Sequence, residues 1–200
     1  MESQLTSEEV ERIVGPYYPL LSQCIEGAWE EFCASVPPGV RAKIGKRARA
    51  AVIHDLMVHH AYRVFQGVSG INFVSARGYV HMSIRGRLLV RMKKLDSKGR
   101  PANYQTQQVK DLNAGKMLTE IPAALRLVAG YQLNDLQSAL DALLIVAPRG
   151  RGLAFKLTIK DYGDGTGSLA GIHEITPPSP VVGTKLVRKR VAGPGEATST

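Results

Sequence analysis

Four side chains able to hold a metal lie within seven positions: His54, Asp55, His59 and His60. Asp55 and His59 are four apart, so a helix would put them on one face. Yet a zinc peptidase needs His-Glu-x-x-His, and a metal phosphohydrolase needs an earlier histidine that this chain does not have. A cluster on a helix surface or end is the better account. Residues 161–167, with two aspartates and three glycines, superficially resemble a calcium loop, but the terminal bidentate acid is missing at the needed offset. They read as a glycine-rich hairpin turn. A magnesium nuclease needs two or three carboxylates near a lysine, whereas Arg91-x-Lys93-Lys94 has no acid beside it and Asp96 falls in a turn. No Gly-x-Ser-x-Gly, phosphate-loop or dinucleotide glycine pattern occurs. The sequence thus implies no enzyme, cofactor or metal, with a metal-dependent nuclease as the residual alternative.

What remains is positive charge. Arg77, Arg85, Arg87, Arg91, Lys93, Lys94, Lys98 and Arg100 place eight cations in 24 residues. One account is a solubilised sheet face guarded against edge pairing. Edge protection needs only one or two lysines, however, and five of these eight are arginines, whose planar fork matches phosphate or carboxylate. With Tyr79 as a stacking surface, the second account is a nucleic-acid backbone or an acidic protein surface. Arg41, Lys43, Lys46, Arg47 and Arg49 form a further basic run. They read either as a solvated face answering the glutamates of a preceding helix or as part of the same ligand surface.

The charge is unevenly distributed along the chain. Residues 1–37 hold seven acids against one base, a net −6, while residues 38–100 hold fourteen bases against two acids, a net +12. The whole 200-residue chain carries +9 with 44% hydrophobic and 22% charged residues, the composition of a globular protein that can bury a core. No apolar run of eighteen residues and no basic-then-apolar leader occurs, so the expectation is a cytoplasmic protein without a membrane span. Cys24 and Cys33, nine apart on one expected helix, would sit about 13 Å apart along its axis and roughly half a turn around it, too far to bridge. They are expected to be reduced, core-facing thiols.

The elements that must position these groups can be read from periodicity. Thr6-Ser7-Glu8-Glu9 has the form of a capping box opening a short helix that Gly15-Pro16 ends. Leu20, Leu21, Cys24, Ile25, Ala28, Trp29, Phe32 and Cys33 recur at three- and four-residue steps, the strongest helical signal in the chain. After the Pro37-Pro38-Gly39 break, a second helix is expected over about 40–65, with Ile44, Ala48, Ala51, Val52, Leu56 and Val64 inward. Beyond Gly67 and Gly70 the period becomes two. Val80, Met82, Ile84, Leu88, Val90 and Met92 are all even-numbered, so a three-residue Arg85-Gly86-Arg87 turn must pair Ile84 with Leu88, Met82 with Val90 and Val80 with Met92. One hairpin face is then apolar, and the other carries His81 opposite Arg91 and Tyr79 opposite Lys93. Further on, the pattern gives a short helix near 107–112, a strand at 125–133, a helix from an Asn134 cap through 143, a strand at 144–147, and a hairpin of Leu153, Phe155, Leu157 and Ile159 with 168–175. From Pro177 the composition is that of a flexible tail.

Arg-x-Lys-Lys-Leu-Asp at 91–96, Asn103-Tyr104-Gln105-Thr106, Gly130-Tyr131-Gln132-Leu133-Asn134 and Leu-Ile-Val-Ala-Pro at 144–148 together resemble a group of uncharacterised bacterial proteins encoded beside helix-turn-helix regulators that carry a zinc-metallopeptidase domain. The similarity spans about residues 54–160. It implies an accessory role in a toxin–antitoxin, mobile-element or phage-defence system and transfers no site residue. The combined expectation is an α+β fold with N-terminal helices packed on a mainly antiparallel sheet: an acidic helical segment (1–37), a basic helix plus sheet in the same domain (38–176) and a tail (177–200). Its expected activity is non-enzymatic nucleic-acid binding through Arg85, Arg87, Arg91, Lys93, Lys94 and Arg77, widened by Lys46, Arg47 and Arg49. The alternative is an antitoxin or inhibitor that docks on an acidic partner protein.

Overall fold

A computed structural model describes residues 5–76, 79–101, 125–150, 152–162 and 172–173. Helix α1 (Ser7–Val14) starts at the expected capping box: the Thr6 hydroxyl accepts from the Glu9 amide at 3.2 Å, and the Glu9 carboxylate accepts from the Thr6 amide at 2.9 Å. A single 3₁₀ turn (Gly15–Tyr17) leads into α2 (Tyr18–Ser35), which buries Leu21, Cys24, Ile25, Ala28 and Phe32. Both cysteines are free thiols, and burial pushes Cys24 up to about 12.

The expected helix over 40–65 is two helices, α3 (Pro38–Arg41) and α4 (Lys46–Val64), separated at Gly45. Its buried stripe is also displaced. Ile53, Met57, His60 and Ala61 face inward, whereas Ala48, Ala51 and Val52 are exposed and Ile44, Leu56 and Val64 are half-buried. Ile53 and Met57 remove far more apolar area from water than the alanines, at about 1.5–3 kcal/mol each, which favours this rotation of the helix. Against α2, the His60 ring lies over Gly27, where an added Cβ would fall 2.8 Å from His60 Cε1. His60 Nε2 and Glu31 Oε2 are 2.8 Å apart, tying the two helices.

The helices cover one face of a sheet in the order β1 (Ile71–Ala76), β2 (Tyr79–Ile84), β3 (Leu88–Lys94), β4 (Leu125–Leu133), β5 (Leu140–Arg149), β6 (Gly152–Asp161) and the two-residue β7 (Ile172–His173). All neighbours are antiparallel except β3 and β4, which are parallel. The fold is therefore α+β, with a mostly antiparallel sheet. The expected β4 matches residue for residue. The expected helix from Asn134 does not form: the Asn134 side-chain oxygen accepts from the amides of Ser138 and Ala139 at 2.9 and 3.3 Å, and Gln137 takes φ 57°. This side-chain turn competes with the helix that the same asparagine could have capped. The short helix at 107–112, the tail from 177, Arg77 and the glycine loop from Gly163 onward lie outside the described residues.

Met82 and Ile84 of β2 and Leu88, Val90 and Met92 of β3 join the core beneath the helices with Leu127, Ala129, Tyr131, Ile145 and Leu157. The far face has its own smaller apolar cluster of Leu95, Val128, Ala142, Leu144 and Val146. Among the described residues no helix is long and apolar enough to cross a membrane.

At the centre of β4, Gly130 approaches β3 so closely that an added Cβ would lie 2.0 Å from the Lys93 carbonyl oxygen. Gly130→Ala should therefore cost at least about 3 kcal/mol in chemical denaturation. Gly15→Ala should be neutral or stabilise by up to about 1 kcal/mol, since Gly15 has helical φ and nothing within 4 Å of the added carbon. Equal effects at the two sites would refute the close β3–β4 approach.

Candidate nucleic-acid interface

The β2–β3 turn forms as parity requires: Ile84 pairs with Leu88 and Met82 with Val90. The ladder does not extend to Val80 and Met92, while on its other edge β3 pairs with β4 over its whole length. At the tip, Arg85 and Gly86 both take left-handed φ, 51° and 66°, and the Arg87 amide donates to the Ile84 carbonyl at 3.0 Å. A left-handed arginine costs roughly 1 kcal/mol. The Arg85 amide donates to the Gly70 carbonyl at 2.7 Å, which anchors the strained residue. Arg85 and Arg87 both project into solvent.

At the other end of β3, about 20 Å away by strand rise over six steps, a second group gathers. Lys46 and Arg47 are exposed on the first turn of α4, which has a glycine at its N-cap, no side-chain cap and no acid. Arg49 is used structurally, donating to the Gln137 carbonyl at 3.1 Å and the Arg41 carbonyl at 3.0 Å. Lys94 Nζ donates to Gln137 Oε1 at 2.6 Å. Burial, then Arg49 and Lys46, hold Lys94 below the usual lysine range.

Two glutamates of α2 take partners outside the basic run 41–49, Glu31 facing His60 of α4. Glu26 instead accepts from Lys160 Nζ at 2.6 Å, from the Ser22 hydroxyl at 2.8 Å and from the Tyr162 hydroxyl. Burial raises the Glu26 carboxyl, but these three donors outweigh it and keep it below the ordinary range. The ion pairs His60–Glu31, Arg100–Asp96 and Lys160–Glu26 use none of Lys46, Arg85 and Arg87, and no other ion pair involves those three among the described residues. Glu9 nevertheless lies close enough to Arg87 to feel its charge.

The far face differs from its expected form. Arg91, expected to look outward, is only 7% exposed, and its guanidinium carbon stacks 4.1 Å from the centroid of the Tyr79 ring. His81 is 5% exposed beside it, and burial, then Arg91 and Arg126, push His81 down to about 4. Burial, then Arg91, push Lys93 down to about 8. The histidines of α4 do not converge. His54 Nδ1 lies 3.0 Å from the Met92 carbonyl, His60 faces Glu31, and His59 and Asp55 are exposed.

No protein-family model, curated protein or solved structure matches this chain. The site is therefore read from its own residues. Of the nine expected contacts, Arg85, Arg87, Lys46 and Arg47 are exposed, Arg49 and Lys94 brace the β4–β5 turn, Arg91 and Lys93 sit on the opposite face, and Arg77 lies outside the described residues. Two features escaped the sequence reading. One is the bare start of α4, which the Gly45-Lys46 step could have revealed. The other is Arg41 Nη1 donating to Cys33 Sγ at 3.2 Å, a contact between residues eight apart across a helix break that periodicity cannot show.

His81 is neutral when folded and far below its ordinary 6.5. Its contribution to stability is complete above about 6.5 and is lost as pH falls through about 4, amounting to up to ~3 kcal/mol. Arg91 and Arg126 both oppose its protonation. Denaturation of wild type and His81→Gln across pH 4 to 7 should show the variant losing less stability in acid; parallel curves would contradict a buried neutral imidazole.

Proposed function

We propose that this protein is a non-enzymatic nucleic-acid-binding protein that contacts phosphate through the first turn of α4 and the β2–β3 tip. The observation that carries the reading is the start of α4. The free amides there already make a partial positive charge, and Lys46 adds a full one, with Arg47 exposed beside it, where an acid would be stabilising. That arrangement costs the isolated protein stability and is offset when a phosphate accepts from the amides and pairs with the cations. Arg85 supports the same reading, since an exposed arginine held at positive φ is strained with no compensating ion pair among the described residues.

The two groups stand about 20 Å apart, roughly six steps of 3.4 Å along one duplex strand. A duplex lying along β3 meets phosphate at both ends, and neither group reads base edges, so binding is sequence-tolerant. An accessory part in a bacterial regulatory or defence system, as the family resemblance implies, accords with that behaviour. An acidic partner protein is the competing occupant.

Gel shifts with random duplex, single-stranded DNA and RNA at low and high salt separate the two. Wild type should bind at low salt, with affinity falling steeply as salt rises. Lys46→Glu/Arg47→Glu should weaken binding at least about tenfold and lower the salt slope by about 2. No retention at low salt sinks the nucleic-acid reading in favour of a protein partner, and cleavage that requires magnesium would revive an enzyme.

A further inference from the structure

The sheet face turned away from the helices holds a charge arrangement that the α4 and hairpin-tip groups do not use. Arg91 stands at its centre on β3, with His81 on β2, Arg126 on β4 and Lys93 two positions along β3. A guanidinium at 7% exposure is costly to bury without a counter-ion. Arg91 has no ion pair among the described residues, and its Nε is buried without a hydrogen-bond partner. Its stack on Tyr79 returns part of that cost and leaves the donor on Nε unused.

We propose that Arg91 and His81 form the floor of a binding site for a tetrahedral oxyanion, either free phosphate or a phosphate monoester. Arg91 supplies a planar fork of donors, and His81 supplies a ring nitrogen able to accept from, or once protonated donate to, a phosphate oxygen. Lys93 and Arg126 keep contacts of their own and act by raising the local positive potential. Tyr79, 37% exposed, is the outermost group of the cluster, and movement of its ring is the way in. The inference stands apart from the nucleic-acid reading, whose cations lie at the hairpin tip and the start of α4.

The test is thermal unfolding of the full chain in about 10 mM sodium phosphate against sodium chloride of equal ionic strength, repeated with a nucleoside monophosphate and with the unphosphorylated nucleoside. Phosphate should raise the midpoint by about 3 °C. The shift should persist in Lys46→Glu/Arg47→Glu, which separates this site from the α4 surface, and vanish in Arg91→Met. In chloride, Arg91→Met should be at least as stable as wild type, because an apolar side chain replaces an uncompensated buried charge. Should that variant fail to fold, Arg91→Lys serves instead and should lose at least half of the shift. A larger effect of the monophosphate identifies the ester as ligand, and equal effects identify free phosphate. Absence of any phosphate effect, an equal effect of the bare nucleoside, or a full shift in the Arg91 variants overturns the site.

Discussion

A three-residue turn between Ile84 and Leu88 governs where the charge of this protein goes. Because those two residues face each other across the turn, every even-numbered side chain of β2 and β3 points toward the helices and every odd-numbered one toward the far face. One residue more or less would send Val90 and Met92 out of the core and carry Arg91 beneath α4. The core fixes this parity by burying Met82, Ile84, Leu88, Val90 and Met92 together. The cationic residues then have three places left to them: the turn itself, the far face and the strand's end.

Each place gives its cations a different physical character. At the turn, Arg85 and Arg87 are exposed, so meeting a ligand there carries little desolvation cost. At the end of β3, Arg49 and Lys94 are consumed in holding Gln137, which leaves Lys46 and Arg47 to give that end its outward charge. On the far face, Arg91 and His81 are desolvated, so charge there is expensive. The acidic N-terminal helices neutralise little of this, because Glu26 and Glu31 are spent on Lys160 and His60 within the scaffold.

Periodicity made much of this legible. The capping box at Thr6, the stripe of α2, the hairpin register and β4 all follow from local pattern and are all present. Failures came where a local signal had two outlets or where a partner decided. Asn134 can cap a helix or close a side-chain turn, and pairing of β4 with β5 selected the turn. The rotation of α4 depends on Gly27 admitting the His60 ring, which no window on α4 alone contains. For the candidate site, alternation correctly put Arg91 on the face opposite the core but wrongly implied that this face is wet. Period two assigns sides, and burial of a side depends on what lies across it. The same reasoning missed the parallel junction of β3 and β4, a contact between segments some thirty residues apart.

The central claim is that one nucleic acid spans both ends of β3. Amide chemical shifts followed by NMR during titration with a random duplex of about a dozen base pairs address it directly. The account predicts that Arg85, Gly86 and Arg87 move together with Lys46 and Arg47, on one binding curve, while the Glu26–Lys160 region stays still. Movement at only one end, or at neither, contradicts it.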